Sequence, residues 1–534
     1  MKSNQPTLKK ITWLVLPLSA VGLGLLLANG CKKETASTPS TQPVVSAEKN
    51  SFKEVTSRLD PGGSLYLYLS TEQLLANLSD RVSAWRQTVL SMPNLNDEAR
   101  GNVARAFDAA TNLIAQSGVE DVSGFGMSSI ATEPGLYHSK VFLHHYPDKG
   151  TGFLWKIMGQ QPHPLTGLEM LPTNTAMATF SDADLPLVWS VIQKQASQSG
   201  FPQAQDFVNK LPEEFQKVTG LSLETVLNSL GGEFGFVITL DPSRMIPVPL
   251  PTSEPLQVPE PGLMLVVKVK DDTVFNRIDQ ELSKRNRQIV RIDKSNLKMR
   301  TMPLPLPLPI QLRPTIASSE GYLFVATTDT LIQEVLAVKS GQKPGLKATD
   351  EFKHLAKDMP VEGNRFVFMS ERFGRTILQI QRETLQRNGK VQPAQQQLLQ
   401  SLFQPDTAGF CYSVSANTDE GWLTVGNSSQ SPANTLVAFS AAVPAALAAI
   451  AIPNFVKARE VAQKNACINN LRQLDAAKAQ WALENNKTGN DMPTMDDLRP
   501  FLKGKISCPA GGHYTLGTVA DRPTCSIPGH TLEH

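Results

Sequence analysis

Hydrophobic and polar residues follow a repeated order between residues 55 and 430. A short apolar stretch with a period of two runs into Ser, Thr or Asp, and apolar residues at helical spacing follow. Each such stretch predicts a strand that leads into a helix, and together they predict an α+β domain. The spacing between them is irregular, which excludes a solenoid with a fixed repeat. The five stretches are SLYLYLSTEQLLANL, AMATFSDADLPLVWSVI, LMLVVKVKDDTVFNRIDQEL, YLFVATTDTLIQEVL and RFVFMSERFGRTIL.

Turn residues and prolines divide the rest of this region. Residues 135–159 predict a β-hairpin around the turn 147–150, and residues 408–426 predict another around 417–421. These hairpins should add antiparallel strands. Two proline-rich stretches, residues 241–262 and 302–314, should be loops, polyproline II segments or an edge, because proline cannot donate to a strand ladder.

Several polar side chains are predicted to cap helices. Ser70 with Gln73 and Ser181 with Asp184 have the spacing of capping boxes at helix starts in the large domain. Thr494 with Asp497 opens a short helix near the carboxyl terminus in the same way. Asp271 and Asp272 resemble a carboxylate pair for acid–base catalysis. They lie at a predicted helix amino terminus, which favours carboxylates electrostatically, so we interpret both as helix caps.

The amino terminus has the layout of a secretory signal. Lys2, Lys9 and Lys10 precede the apolar run ITWLVLPLSAVGLGLLLANGC. Residues 1–31 resemble a bacterial lipoprotein signal and lipobox, which implies that Cys31 is lipidated and becomes the first residue. An uncleaved membrane helix and a signal cut elsewhere are the alternatives, and both export the remaining chain.

Residues 32–54 should form a flexible tether. The stretch KKETASTPSTQPVVSAEKN contains few large apolar residues, so it cannot bury enough surface to offset the entropy of ordering. Lys32 follows the predicted anchor, and by analogy with lipoprotein sorting it favours the outer membrane over the inner one. The predicted location is the periplasmic side of the cell envelope.

Residues 449–486 read AIAIPNFVKAREVAQKNACINNLRQLDAAKAQWALENN. This stretch resembles the lower part of the first helix of type IV pilin-like proteins and type II secretion pseudopilins, including the helix-bending proline at Pro453. The resemblance implies that residues 431–534 form a pilin-like domain with a long helix and a small head. The family has a glycine cleavage site and a glutamate upstream, where this chain has Ser431 and Leu436. We therefore expect no pilin-type processing.

The apolar run 435–452 is near the lower length limit for a membrane span. It is mostly alanine and contains Pro444, so its insertion energy is poor. We prefer a broken helix that links two exported regions over a membrane crossing.

Composition and motifs narrow the function classes. The chain of 534 residues carries 51 Lys and Arg against 49 acidic residues, so no nucleic-acid partner is expected. The motifs HExxH, GxSxG, GxGxxG, CxxC and the Walker loop are absent from the sequence, and no catalytic, cofactor or metal residue is assigned. His144 and His145 are adjacent, but neighbours on a strand face opposite ways, so we expect one at the surface and one packed.

Four cysteines remain after Cys31, and they permit three complete pairings. Export places them where disulfides persist. Cys508 and Cys525 flank a compact loop rich in glycine and proline, so we predict a disulfide between them. Cys467 lies on a helical apolar stripe and Cys411 in a predicted strand, so both are expected to be free, buried thiols, although a bond between them stays open.

These observations predict a non-catalytic exported lipoprotein with a pseudopilin-like carboxyl-terminal domain. It should bind the membrane through Cys31 and act by binding or assembly with an envelope protein, such as a pilus or secretion component. The alternative is an envelope hydrolase with a cryptic site in residues 55–430. A pocket of converging Ser, His or carboxylate side chains would favour the hydrolase, and an apolar surface patch would favour binding.

Overall fold

The computed structural model describes residues 49–532, except 93–94, 251–252, 286–287, 305–311, 388–407, 434–462, 503 and 505. The chain divides into two compact units, Met1–Asn434 and Thr435–His534. Cys31, most of the predicted tether, Leu436, Pro453 and the run 435–452 lie outside the described residues. Among the helices that the structure describes, none combines the length and apolar character needed to cross a membrane.

The first unit contains both helices and strands, which confirms the α+β class. Its helices are α1 (Phe52–Thr56), α2 (Glu72–Leu75), α3 (Leu78–Leu90), α4 (Asp97–Ser117), α5 (Leu185–Gln198), α6 (Pro202–Thr219), α7 (Leu223–Ser229), α8 (Thr273–Arg285), α9 (Asp329–Lys339), α10 (Asp350–Leu355) and α11 (Glu371–Arg387). Its strands are β1 (Leu65–Ser70), β2 (Val122–Glu133), β3 (Leu136–His145), β4 (His163–Pro164), β5 (Thr175–Asp182), β6 (Leu230–Leu250), β7 (Ser253–Val269), β8 (Val290–Lys294), β9 (Leu297–Thr301), β10 (Thr315–Ser319), β11 (Tyr322–Ala326), β12 (Glu362–Gly363), β13 (Arg365–Met369), β14 (Cys411–Thr418) and β15 (Gly421–Ser428).

Thirteen of these strands form one antiparallel sheet. Their order in space is β1-β2-β3-β15-β14-β13-β5-β6-β7-β11-β10-β9-β8, and β4 pairs with β12 separately. All five predicted strand-to-helix units are confirmed, because β1, β5, β7, β11 and β13 each lead into a helix. The hydrophobic periodicity therefore identified the building blocks of the sheet correctly.

The main core lies on one face of this sheet. Phe180 of β5 and Phe366 of β13 stack with ring centroids 5.1 Å apart. Gly167 lies against the Phe180 ring, where a Cβ atom would come within 2.6 Å of the ring carbon Cδ1. Other strands of the sheet add buried side chains to this core. The short turn Thr166–Met170 and helices α9 and α10 add more, which include Met170, Ile332, Val335, Phe352 and Leu355.

The opposite face is covered in part by α8. Phe275 of this helix packs against Ile316 and Leu323 of the hairpin β10–β11. The guanidinium carbon of Arg300 lies 5.4 Å from the centroid of the Phe275 ring. Arg300 also forms ion pairs with Asp279 and Asp293, both 2.8 Å long. A charged side chain thus packs on an aromatic ring and is neutralised at its end.

The first proline-rich stretch forms a β-ribbon. Strands β6 and β7 stay paired through it, with Met245 opposite Pro259 and Pro247 opposite Gln257. Both strands of a two-stranded ribbon have a free edge, where proline does not break a ladder bond. Loops, polyproline II segments and a sheet edge were the expected conformations of this stretch, and the structure places Pro247 and Pro259 on free strand edges. The centre of the second proline-rich stretch lies outside the described residues.

One predicted hairpin is confirmed and the other is wrong. Strands β14 and β15 pair around the expected turn. After β3, however, the chain forms a short 3-10 turn at Phe153–Trp155, and β3 pairs with β2 and β15. The indole of Trp155 is buried and donates to the carbonyl oxygen of Gly118 over 2.9 Å. The residues around Trp155 have the pattern of a strand, but burial of the indole ring favours the turn.

Two of the three predicted capping boxes are wrong. Ser70 is still in β1, and α2 follows Thr71, whose hydroxyl donates to Val122 instead. Asp184 alone caps α5 by accepting from the Leu187 amide over 2.9 Å. The box of Thr494 with Asp497 is confirmed in both directions.

The second unit is small. Residues 463–484 form helix α12, which is followed by α13 (Met495–Leu498), a 3-10 turn at Arg499–Phe501, and the paired strands β16 (Tyr514–Thr515) and β17 (Thr524–Cys525). Its core joins Leu474, Ala477 and Trp481 of α12 to Leu498 and Leu516. The sequence predicts an apolar stripe of Cys467, Leu471, Leu474 and Trp481 on this helix, and all four are buried.

Candidate functional site

A cluster of three cysteines and one histidine lies in the second unit. Cys467 is on the buried face of α12, Cys508 begins a turn, Cys525 ends β17, and His530 follows soon after. Their side-chain ligand atoms all lie within 4.8 Å of one another. The Sγ atom of Cys508 is 3.6 Å from that of Cys467 and 3.8 Å from that of Cys525. These residues can together hold one metal ion.

The cluster contains both cysteines of the disulfide that the sequence predicts between Cys508 and Cys525. Cys508 and Cys525 are free thiols in the structure, as are Cys411 and Cys467. A disulfide requires sulfur atoms about 2.05 Å apart. Cys508 has two sulfur neighbours at similar distances, so the loop between Cys508 and Cys525 is arranged around a shared centre. Cys411 lies in β14 of the other unit.

Hydrogen-bond donors surround two of the sulfur atoms. The Tyr514 hydroxyl donates to Sγ of Cys467 over 3.4 Å. Burial opposes ionisation of Cys508, but the backbone N–H groups of Ala510 and Gly512 donate to its sulfur and lower the pKa of this thiol. Burial raises the pKa of the Cys467 thiol. The turn after Cys508 therefore favours a thiolate at that position.

Glycines allow the chain to close around the cluster. A Cβ atom on Gly512 would lie 2.9 Å from Sγ of Cys525, which is too close for a side chain. Gly511 and Gly529 have φ angles of 79° and 80°, in the region that favours glycine. Gly529 directly precedes His530, which is 8% exposed and whose Nδ1 has no hydrogen-bond partner among the described residues.

The adjacent histidines of the first unit are both buried, although one was expected at the surface. The Nδ1 atom of His144 is 2.6 Å from the Ser123 hydroxyl oxygen, and both residues are at most 2% exposed. The His145 ring packs against Trp155 at 4.4 Å between centroids. Ser123 and His144 form a serine–histidine pair that solvent and substrate cannot reach in this structure.

Asp271 and Asp272 act at the start of α8. Asp271 accepts from the Thr273 amide over 2.9 Å, which confirms its capping role. Asp272 instead accepts from Lys298 and from the hydroxyl of Ser318. These hydrogen bonds lower the pKa of both carboxyl groups.

A surface cleft of about 440 Å³ lies where α4 ends beside α5. Its polar lining includes Glu120, Asp121 and Ser190. Glu120 accepts from the amide and the hydroxyl of Ser79, Asp121 accepts from the Gly150 amide, and Ser190 donates to a carbonyl oxygen of its own helix. These groups hold the local backbone in place.

An exposed apolar strip lies on the large sheet. It consists of Leu263 and Leu265 of β7 and Val325 of β11, which are 40%, 51% and 42% exposed. Leu265 and Val325 are direct partners across the two strands. Leu263 is two residues from Leu265 on the same strand and therefore shares its face. The apolar strip continues the sheet face that α8 covers at Ile316 and Leu323.

Residues 154–404 match the sequence model of a family described as "Protein of unknown function (DUF3352)". Over these residues the chain is similar to that family, and the match includes the apolar strip. No curated protein and no solved structure matches the chain. The cysteine–histidine cluster lies outside the matched range.

Proposed function

We propose that the chain is a non-catalytic lipoprotein of the bacterial envelope that binds another exported protein through the apolar strip. The observation that carries this proposal is the pairing of Leu265 with Val325, two apolar side chains on neighbouring strands that are each nearly half exposed. Removing apolar surface from water contributes about 25 cal/mol per Å². A partner that covers these side chains and Leu263 gains this free energy.

The polar groups of the first unit favour binding over catalysis. Ser123 and His144 have the chemistry of a nucleophile and its base, but they are buried. Glu120 and Asp121 line a cleft but accept hydrogen bonds from nearby backbone. A general base needs a free position within hydrogen-bond reach of a substrate. These observations support a binding role over the alternative of a hydrolase.

The apolar strip can be tested with a photo-crosslinking amino acid at position 265 in the full chain, in its native cells. We expect one discrete adduct with an exported protein, such as a pilus or secretion component. Position 361 is the matched control, because Val361 is 82% exposed in the same unit but lies in a short connection outside the apolar strip. Val325→Asp should abolish the adduct at position 265, because a carboxylate in the strip must be desolvated.

Equal crosslinking at positions 265 and 361, or an adduct that survives Val325→Asp, would show that the apolar strip is not the binding surface. The absence of an adduct at position 265 would also contradict the proposal. Circular dichroism of the Val325→Asp protein checks that the sheet is intact.

Membrane attachment through Cys31 is the second part of the proposal. It is supported by the charged start and the apolar run that ends at this cysteine. A fatty-acid probe supplied to growing cells should label the wild type and leave Cys31→Ser unlabelled. Equal labelling of the two proteins would exclude Cys31 as the lipid site. The pilin-like assignment of residues 431–534 rests on the sequence resemblance, with which the helix at 463–484 agrees.

A further inference from the structure

We propose that Cys467, Cys508, Cys525 and His530 bind one Zn²⁺ ion as a structural site. The ion would join α12 to the turn after Cys508 and to the chain segment 525–530. This proposal concerns the second unit alone and does not depend on the binding role of the apolar strip.

The distances fit a single tetrahedral ion. A Zn–S bond is about 2.3 Å long, so two sulfur ligands of a tetrahedral ion lie about 3.8 Å apart. The observed sulfur separations of 3.6 Å and 3.8 Å agree with this value. All four ligand atoms lie within 4.8 Å of one another, so they surround one centre.

The number and type of donors favour a metal over disulfides. Three thiols converge, and one disulfide among them would leave the third thiol unpaired. Thiolate and imidazole are ligands that Zn²⁺ prefers, whereas Ca²⁺ and Mg²⁺ prefer oxygen. The cluster contains three sulfur donors and one nitrogen donor, with no carboxylate.

Binding is a simple exchange of protons for metal. Three Zn–S bonds and one Zn–N bond form, the thiols release their protons, and no electron is transferred. Three thiolates and a neutral imidazole around Zn²⁺ leave one net negative charge. The Tyr514 hydroxyl at Cys467 and the amides of Ala510 and Gly512 at Cys508 donate to the sulfur atoms and offset this charge.

The site is closed, which indicates a structural role. Cys467 is fully buried, Cys508 and His530 are 7% and 8% exposed, and Cys525 is partly buried. Four protein ligands fill the tetrahedron and leave no position for a substrate or a water molecule. The loop from 508 to 530 contributes few buried apolar side chains, so an ion that ties it to α12 stabilises a unit with a small core.

Metal content of the full-length protein is the first test. The protein is extracted from membranes in detergent, dialysed, and analysed by inductively coupled plasma mass spectrometry. We expect one zinc per chain in the wild type and in Cys411→Ser, whose cysteine lies in the first unit. Cys508→Ser and Cys525→Ser should lose the metal. A wild-type protein without zinc that also fails to take up added Zn²⁺ would overturn the proposal.

Thiol reactivity then separates a metal from a disulfide. If Zn²⁺ is bound, Cys467, Cys508 and Cys525 resist alkylation until a chelator is added, and a reductant alone has no effect. If Cys508 and Cys525 form a disulfide, they resist until a reductant is added, and the chelator has no effect. This measurement uses the wild-type chain, so it remains decisive if the serine variants fail to fold.

Two further variants separate a ligand from a supporting residue. Tyr514→Phe removes one donor to Cys467 and should weaken Zn²⁺ binding by about 10–100-fold, the usual effect of an outer partner. His530→Ala removes a ligand and should weaken binding further. Equal affinity of His530→Ala and the wild type, measured by competition with a chromogenic chelator, would exclude His530 as a ligand.

Discussion

The side-chain nitrogen of Lys478 lies 2.6 Å from the carbonyl oxygen of Leu516. It donates a second hydrogen bond of 2.6 Å to the carbonyl oxygen of Asp521. Lys478 is on α12, and only 1% of it is exposed. A buried ammonium group is costly unless it is hydrogen-bonded, so this side chain fixes the loop 516–521 to the helix.

Lys478→Met keeps the aliphatic stem and removes both hydrogen bonds. The two carbonyl oxygens lose a charged donor, so we expect the free energy of unfolding of the second unit to fall by about 1–3 kcal/mol. Arg472→Met is the control, because Arg472 is exposed on the same helix, where its side chain donates to that of Asn469. Chemical denaturation followed by hydrogen exchange of peptides from the second unit would measure both variants. An unchanged denaturation midpoint for Lys478→Met would contradict the role assigned to its hydrogen bonds.

Gly235 provides a test of packing in the first unit. A Cβ atom at this position would overlap the ring of Phe180, which Gly167 and Phe366 also contact. Gly235→Ala should therefore destabilise the unit by about 1–3 kcal/mol through overpacking. Thermal unfolding monitored by circular dichroism would measure the loss.

Gly101→Ala is the matched control for Gly235→Ala. Gly101 lies inside α4, and its Cβ position meets only the flexible end of Arg105, at 3.8 Å. Alanine in a helix is favoured over glycine by about 0.5–1 kcal/mol, so this variant should unfold at a higher temperature. Shifts of the same sign in both variants would show that packing against Phe180 does not decide the result.

The strand-to-helix units could be predicted from the sequence because their periodicity is local. The order of the strands could not. Phe180 and Phe366 meet because β5 pairs with β13, although the intervening chain contains the seven strands β6 to β12. The turn at Phe153–Trp155 was missed because burial of Trp155 depends on residues distant in the sequence.

The convergence of the three cysteines and His530 could not be predicted for a similar reason. The helical stripe correctly predicted that Cys467 is buried, but its closeness to Cys508 depends on how the loop folds back on α12. One signal was present in the sequence, since Cys525 and His530 are separated by four residues in a loop rich in glycine and proline. Because disulfides persist in exported proteins, the sequence alone favours a disulfide over a metal site at these cysteines.

His163 should make the stability of the first unit depend on pH. Its Nε2 atom is 3.0 Å from both carboxylate oxygens of Asp182. Burial opposes the charged ring, but this ion pair outweighs it and raises the pKa of His163. Because this pKa is higher in the folded state, protonated His163 contributes to the free energy of unfolding. The contribution is complete below the pKa of the unfolded chain, about 6.5, and is lost as pH rises through the pKa of the folded state.

The expected result is a fall in the free energy of unfolding of the wild type as pH rises above about 6.5. His163→Gln should show a smaller fall over the same range. His354→Gln, at a half-exposed histidine of the same unit, is the control and should behave as the wild type does. Urea unfolding at a series of pH values measures all three. If the free energy of unfolding fell with pH equally in His163→Gln and the wild type, the ion pair with Asp182 would not control this pH dependence.

Ser431 should not be a site of pilin-type processing. By the resemblance to type IV pilin-like proteins, it stands where that family has its cleavage glycine, and it is 4% exposed. Its hydroxyl is 3.1 Å from the hydroxyl oxygens of both Ser64 and Ser129, so this position is packed into the first unit. A peptidase needs an accessible backbone at the bond it cleaves. Restoring glycine with Ser431→Gly should therefore not create a cleavage site, because the backbone remains buried and Leu436 still replaces the glutamate.

Coexpression with a prepilin peptidase, followed by immunoblotting of the carboxyl terminus, tests this prediction. The wild type and Ser431→Gly should both appear only as the long species, while a pseudopilin substrate in the same cells is cleaved. A short carboxyl-terminal fragment from Ser431→Gly alone would show that the missing glycine, and not burial in the first unit, prevents processing. A fragment from the wild type would show that the chain is a functional pilin-type substrate despite both substitutions.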